Sequence, residues 1–304
     1  MAARKLLGPE KDEITGEFRR QPRGNTFEIE ETAFDEVDAT EKRNDESPQF
    51  GYKSLLKDDG FSDLNVLKVR RLVGIGVAEM LGTAVFMAMG CGSVVTTITG
   101  GEISHLNTVI SFAFGIATSI IIFGPVSGAV MNPALNLTAV ILGHMSLQKC
   151  LFYTIFQLFG GFLGVSFIRM VTPDIDAEGF CVTQPAYNVS ISSAFMVEFM
   201  GTAVLAWGLC NALDPRMKEH GAIVGFKFLV IITSIGVPGG KYAGGSLNPA
   251  RSFGPALAAG NWDNHWIYWS ATCLGASFAA IIYRVFFDRE IYEVDQKKEE
   301  SNPI

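Results

Sequence analysis

The chain has 304 residues and a formal net charge of −7, and 48% of it is hydrophobic although its first fifth is very polar. That contrast excludes an ordinary soluble domain, because beyond residue 70 the sequence is close to uninterrupted apolar, with several stretches near the ~20 residues that cross a bilayer as a helix. The acidic balance is concentrated in the N-terminal stretch and points to no charged partner; no nucleic-acid partner and no cofactor are expected.

Residues 1–69 carry Glu28, Glu30, Glu31, Asp35, Glu36 and further acidic groups, interspersed with basic ones and few bulky apolar ones. Such a segment buries too little surface to fold alone, so a disordered cytosolic tail is expected. No apolar stretch lies near Met1, which leaves targeting to the first spanning helix.

Six apolar runs follow, at Leu72–Val95, Thr108–Val126, Leu151–Val171, Ile191–Ala212, Gly221–Val237 and Ile267–Phe287. Two more, after Asn132 and after Asn248, are too short to cross and read as re-entrant. Basic residues set the orientation. Lys68, Arg70 and Arg71 precede the first run, Lys149 lies before the third, Arg216 and Lys218 before the fifth, and Arg284 and Arg289 mark the end of the sixth. The alternate loops carry Glu102, Asp174, Asp176, Glu178 and Asp263, with Lys241 their single lysine. Both termini are therefore expected in the cytosol, the last as a tail over 288–304. Trp262, Trp266, Tyr268 and Trp269 form an aromatic belt at the outer interface. The sequon Asn188-Val189-Ser190 falls on the outer side, close enough to the fourth run to argue against its use.

The sequence repeats itself. Glu79-Met-Leu-Gly-Thr-Ala-Val recurs 119 residues on, at Glu198-Phe-Met-Gly-Thr-Ala-Val, and Asn132-Pro133-Ala134 recurs 116 residues on, at Asn248-Pro249-Ala250. Two marks with nearly one offset define two halves, about 70–172 and 190–287. Each holds three spanning runs, an odd number, so the halves insert with opposite polarity and form an inverted repeat with its working site near the midplane. Asn is a favoured N-cap and Pro a favoured first helical residue, so each Asn-Pro-Ala starts a short helix. The two helices enter from opposite faces and meet at their N-termini. Each end carries roughly half a positive charge, which opposes cations. With their side-chain oxygens engaged as caps, Asn132 and Asn248 keep NH2 donors for a passing hydroxyl or water. Arg251 adds a fixed cation beside the second start, at a depth where arginine is costly.

Together these residues resemble the aquaporin, or major intrinsic protein, family. The second box, Gly245-Ser-Leu-Asn-Pro-Ala-Arg-Ser-Phe-Gly-Pro-Ala256, carries the resemblance, as do Glu79 and Glu198 with their Gly-Thr pairs. It covers about residues 70–287. It implies an all-α membrane protein of six spanning helices and two re-entrant half-helices, assembled as a homotetramer with one pore per subunit. The function implied is passive passage of water and small uncharged solutes, with ions and protons excluded.

The resemblance also implies a filter of Phe112, Gly236, Gly245 and Arg251, with Phe114 the alternative to Phe112 should the register differ. Orthodox water channels carry His where this chain has Gly236, a change expected to widen the constriction and make it less polar, admitting glycerol or urea. The same loss is seen in insect aquaporins. Ser252, Ala256 and Tyr268-Trp269 are nonetheless similar to the water-selective branch. Val130 stands where many relatives have His. Glu79 and Glu198 read as acceptors for exposed amides of the re-entrant loops rather than as a proton path.

Cys91, Cys150, Cys181, Cys210 and Cys273 are odd in number and lack a C-x-x-C pair, which disfavours metal and disulfide frameworks. No histidine sits in a nucleophile constellation, so no enzyme is expected. A strictly water-selective pore, a junctional protein with a closed pore and an ion-coupled transporter are the rival readings; the last would need more ionisable groups at the midplane. The plasma membrane is the default location.

Overall fold

Among the described residues, eight helices form where the sequence supplies apolar length and a polar start. They are α1 Val66–Gly92, α2 His105–Ser127, α3 Pro133–Ile141, α4 Leu147–Val171, α5 Ile191–Leu213, α6 Val224–Ala243, α7 Pro249–Ala259 and α8 Trp266–Phe286. The computed structural model describes residues 66–95, 102–172, 175, 179–214, 216–217 and 223–287, all within one compact unit, Phe50–Ile304. Both expected tails, apart from the first turn of α1, lie outside the described residues, as do Asp174, Asp176, Glu178, Lys218 and Arg289.

Among the described residues, six helices are long and apolar enough to cross a membrane, while α3 and α7, with 9 and 11 residues, are not. At ~1.5 Å per residue the short pair reaches only about halfway through the hydrocarbon. The chain is an all-helical, multi-pass integral membrane protein. Serine hydroxyls start three of the helices: Ser104, Ser146 and Ser190 accept the amides of Asn107, Lys149 and Ser193.

Two boundaries lie well beyond the apolar runs. Helix α1 begins at Val66 rather than Leu72, carrying Lys68, Arg70 and Arg71 in its first turns. Helix α6 continues past Val237, through Pro238, to Ala243. Both reflect one rule: next to lipid a backbone bonds itself or goes unpaired, so helix persists beyond the apolar stretch and through a proline. Lys227, near the start of α6, donates to Oδ1 of Asn211 on α5 at 3.0 Å.

The packing repeats when the halves are exchanged. Helix α1 packs on α2 and α4, and α5 correspondingly on α6 and α8, while α2 and α6 meet each other across the pseudo-symmetry axis. Each short helix packs mainly on the last spanning helix of the opposite half, α3 on α8 and α7 on α4. These contacts are backbone-close. A Cβ at Gly160 would sit 2.2 Å from the carbonyl of Met80, and one at Gly275 the same distance from that of Phe199. Without a hydrophobic force between helices in lipid, such small residues permit the close approach that holds the bundle.

Candidate pore and selectivity site

The midplane is built by two matching turns. Asn132 and Asn248 are extended residues (φ −152° and −159°) whose Oδ1 atoms accept the amides of Ala134 and Ala250, each at 2.9 Å, and Pro133 and Pro249 open the helices. Each amide nitrogen then reaches across the axis. Nδ2 of Asn132 donates to the carbonyl of Leu247, and Nδ2 of Asn248 to that of Met131, both at 2.8 Å. An amide carries two N–H groups, so one per asparagine is left for the lumen. Sequence reasoning assigned both to solute; the structure commits half of them to joining the repeats.

Met131 and Leu247 lie in the left-handed region, at φ 51° and 53°, which costs a branched or bulky residue of order 1–3 kcal/mol. Both ends of each strained residue are held. The amide of Met131 donates to Glu79 Oε2 at 2.8 Å and that of Leu247 to Glu198 Oε2 at 2.7 Å, while their carbonyls take the asparagine bonds. Glu79 also receives Val130 N, Ser127 Oγ and Gln157 Nε2, and Glu198 receives Ser246 N. Neither glutamate is solvent-accessible. Both therefore fix loop backbone.

A cavity of about 30 Å³ lies against this junction. Ile116, Ile120, Leu205, Leu209, Phe228 and Ile232 form most of its wall, with Val130 beside them, and Asn132 and Asn248 are its polar side chains. A water needs roughly 10–15 Å³ of such space and a few polar partners, so this cavity has room for water beside the two asparagines. A second cavity, of about 550 Å³, opens toward the end that the charge pattern places outside. Arg251 lines it together with His105, Thr108, Cys181 and Gly244.

Arg251 belongs to the wall of the second. It is 7% exposed, its Nη1 donates to the carbonyl of Cys181 at 2.8 Å, and its guanidinium lies 4.7 Å over the ring of Phe112. Phe114, the alternative register, is 52% exposed on the outside of the bundle. The structure thus brings Phe112 and Arg251 together. Gly245, at φ 62°, sits in the turn between α6 and α7, and Gly244 lies on the cavity wall with Arg251. Gly236 is buried, and a Cβ there would meet Cγ1 of Val109 at 2.7 Å. The room left by the missing side chain is filled by an isopropyl group from α2.

The major intrinsic protein family model matches residues 67–283. The chain belongs to the major intrinsic protein family. It is 35% identical to aquaporin-4 of Mus musculus over 218 residues, 69% of this chain and 66% of that protein, so it spans just under two thirds of that relative's length. It is 31% identical to aquaporin-8 of Notomys alexis, covering 70% of this chain and 82% of the relative. Among solved structures it resembles the aquaglyceroporin from Plasmodium falciparum, with a TM-score of 0.67 and 22% identity over 73% of this chain and 99% of that one. That last likeness shows the fold. Aquaporin-family members are channels, not enzymes.

One expectation for this aquaporin-family chain is corrected. Cys91, at the end of α1, and Cys181, in the segment before α5, are joined as a disulfide. Cysteine count and the absence of a C-x-x-C pair gave no hint, because the partners are 90 residues apart. The oriented topology held the signal. Cys91, at the outer end of α1, and Cys181 both fall on the expected outer, oxidising side, while Cys150, Cys210 and Cys273 lie away from that end and are free. The segment around Cys181 is further pinned by Thr183 Oγ1, which donates to Ser252 Oγ at 2.7 Å, and by Ala186 N, which donates to the carbonyl of Tyr242. His105, the first residue of α2, also lines the outer cavity.

Proposed function

We propose that this chain is a passive channel for water and small uncharged solutes such as glycerol or urea, excluding ions and protons. The observation that carries the reading is the meeting of Asn132 and Asn248 in one narrow lumen, each capping a short helix and keeping a donor for solute oxygen. Two helix N-termini and a buried Arg251 put positive potential where a cation would need to pass. The apolar walls offer few alternative partners, so neutral hydrogen-bonding molecules are favoured.

The absence of an imidazole at Gly236 supports the broader solute range. A strictly water-selective pore has its own support: Val109 fills the gap beside Gly236, and Arg251 lies directly over Phe112. Stopped-flow light scattering on proteoliposomes, comparing water, glycerol and urea, decides between them. Water flow without glycerol or urea flow selects the narrow reading, and no water flow at all defeats both.

The remaining proposals follow from the family and the charge pattern. They are a homotetramer with one pore per subunit, a plasma-membrane location, cytosolic termini, and a channel domain over 70–287 flanked by tails at 1–69 and 288–304. Crosslinking in native membranes and protease protection of tagged termini test them.

A further inference from the structure

The outer cavity contains a histidine that comes from a different helix than the one expected to carry it. His105 is the first residue of α2, and its Nε2 lies 3.1 Å from the carbonyl oxygen of Gly236 and 3.0 Å from that of Val237 on α6. Carbonyls only accept, so Nε2 is the protonated nitrogen and, in the neutral ring, Nδ1 is an acceptor. The ring lies over a second glycine: a Cβ at Gly240 would come within 2.8 Å of His105 Cε1. His105 and Val109, one turn apart on α2, therefore seat against Gly240 and Gly236, one turn apart on α6. Glycine at both α6 positions lets α2 approach, and its ridge ends in an imidazole on the wall of the cavity that Arg251 also lines.

We propose that His105 is a solute-selecting residue of the outer vestibule. Its ring limits the width of the approach to Arg251, and Nδ1 offers a hydrogen-bond acceptor to a hydroxyl or N–H of the entering solute. Arg251 and the asparagines supply donors, whereas a polyol or urea must place donors of its own, so an acceptor here favours such solutes over apolar ones. The two α6 carbonyls fix the tautomer and orientation that this requires. The inference rests on the channel reading above.

The test is the ratio of glycerol and urea permeability to water permeability, in proteoliposomes of the full chain, for wild type, His105→Ala and His105→Phe. Alanine removes the ring and widens the approach, so the ratios rise about threefold or more. Phenylalanine keeps the bulk and removes the acceptor, so they fall about fivefold, the worth of one neutral hydrogen bond. Opposite shifts are the signature of selection, since a residue that merely braces α2 against α6 would move both variants alike. Shifts in one direction, unchanged ratios in a conducting protein, or loss of both variants from the membrane with lowered thermal stability each overturn the proposal. A wild type that passes no water sinks the channel reading and this inference with it, whereas a conducting wild type with indifferent variants sinks this inference alone.

Discussion

Nη1 of Arg251 donates to the main-chain carbonyl of Cys181, and Cys181 is itself bonded covalently to Cys91 at the end of α1. The charge on the wall of the outer cavity is thus steadied by a carbonyl on a stapled segment. Cys181 lies at φ 62°, a conformation a non-glycine residue keeps only when its surroundings hold it. The disulfide, the Thr183–Ser252 bond and the Ala186–Tyr242 bond do so.

Cys91→Ser, or reduction of the wild type, should release that segment. The expected result is a loss of about 2 kcal/mol or more in stability, seen as a lower melting temperature in detergent, together with a raised urea-to-water permeability ratio as Arg251 loses its fixed acceptor. Unchanged melting and selectivity under reducing conditions would count against the staple.

Arg251→Val should let cations or protons through while water continues to flow. It removes the charge, the bond to Cys181 and the contact with Phe112 at once. A pH-sensitive dye inside proteoliposomes, read after an external acid pulse, gives the answer; proton exclusion and solute preference equal to wild type would remove Arg251 from the filter.

Glu79→Gln and Glu198→Gln each replace one acceptor oxygen by an NH2 facing an amide donor. A buried donor left unpaired costs ~1–3 kcal/mol. Glu198 has two backbone donors to satisfy, and Glu79 has two backbone and two side-chain donors. Both variants should melt lower than wild type, Glu79→Gln by more. Equal, negligible shifts would contradict their role in holding the loops.

Restoring an imidazole with Gly236→His should destabilise the bundle, since Val109 occupies the place that even a Cβ would take. Pairing it with Val109→Ala should recover much of the loss. Thermal melting of the single and double variants measures the coupling, and additivity would show that the two positions do not compete.

Gly275→Ala puts a methyl 2.2 Å from a backbone carbonyl, whereas Gly74→Ala meets nothing within 4 Å. The first should fail to assemble; the second should express and conduct like wild type. Insertion yields from one expression system compare them directly.

Much of this protein was legible in its sequence because a bilayer leaves the backbone few choices. Apolar length gave six spanning helices, Asn-Pro gave the starts of two short ones, and a repeat with an odd number of spans gave inverted halves. The matching Glu-x-x-Gly-Thr marks pointed to loop support. Periodicity along one helix does not report which residues meet across an interface, and there the reading ran out. Only the folded bundle shows that Asn132 and Asn248 spend one N–H each on the opposite loop, that Val109 fills the space beside Gly236, and that His105 reaches α6. The pairing of Cys91 with Cys181 likewise depends on a return of the chain 90 residues later. The reason is common to all four. Local chemistry and hydrophobic length act within a segment and can be read along it, whereas a contact between segments depends on how closely two backbones approach, and that distance is set by glycines on one helix and side chains on another.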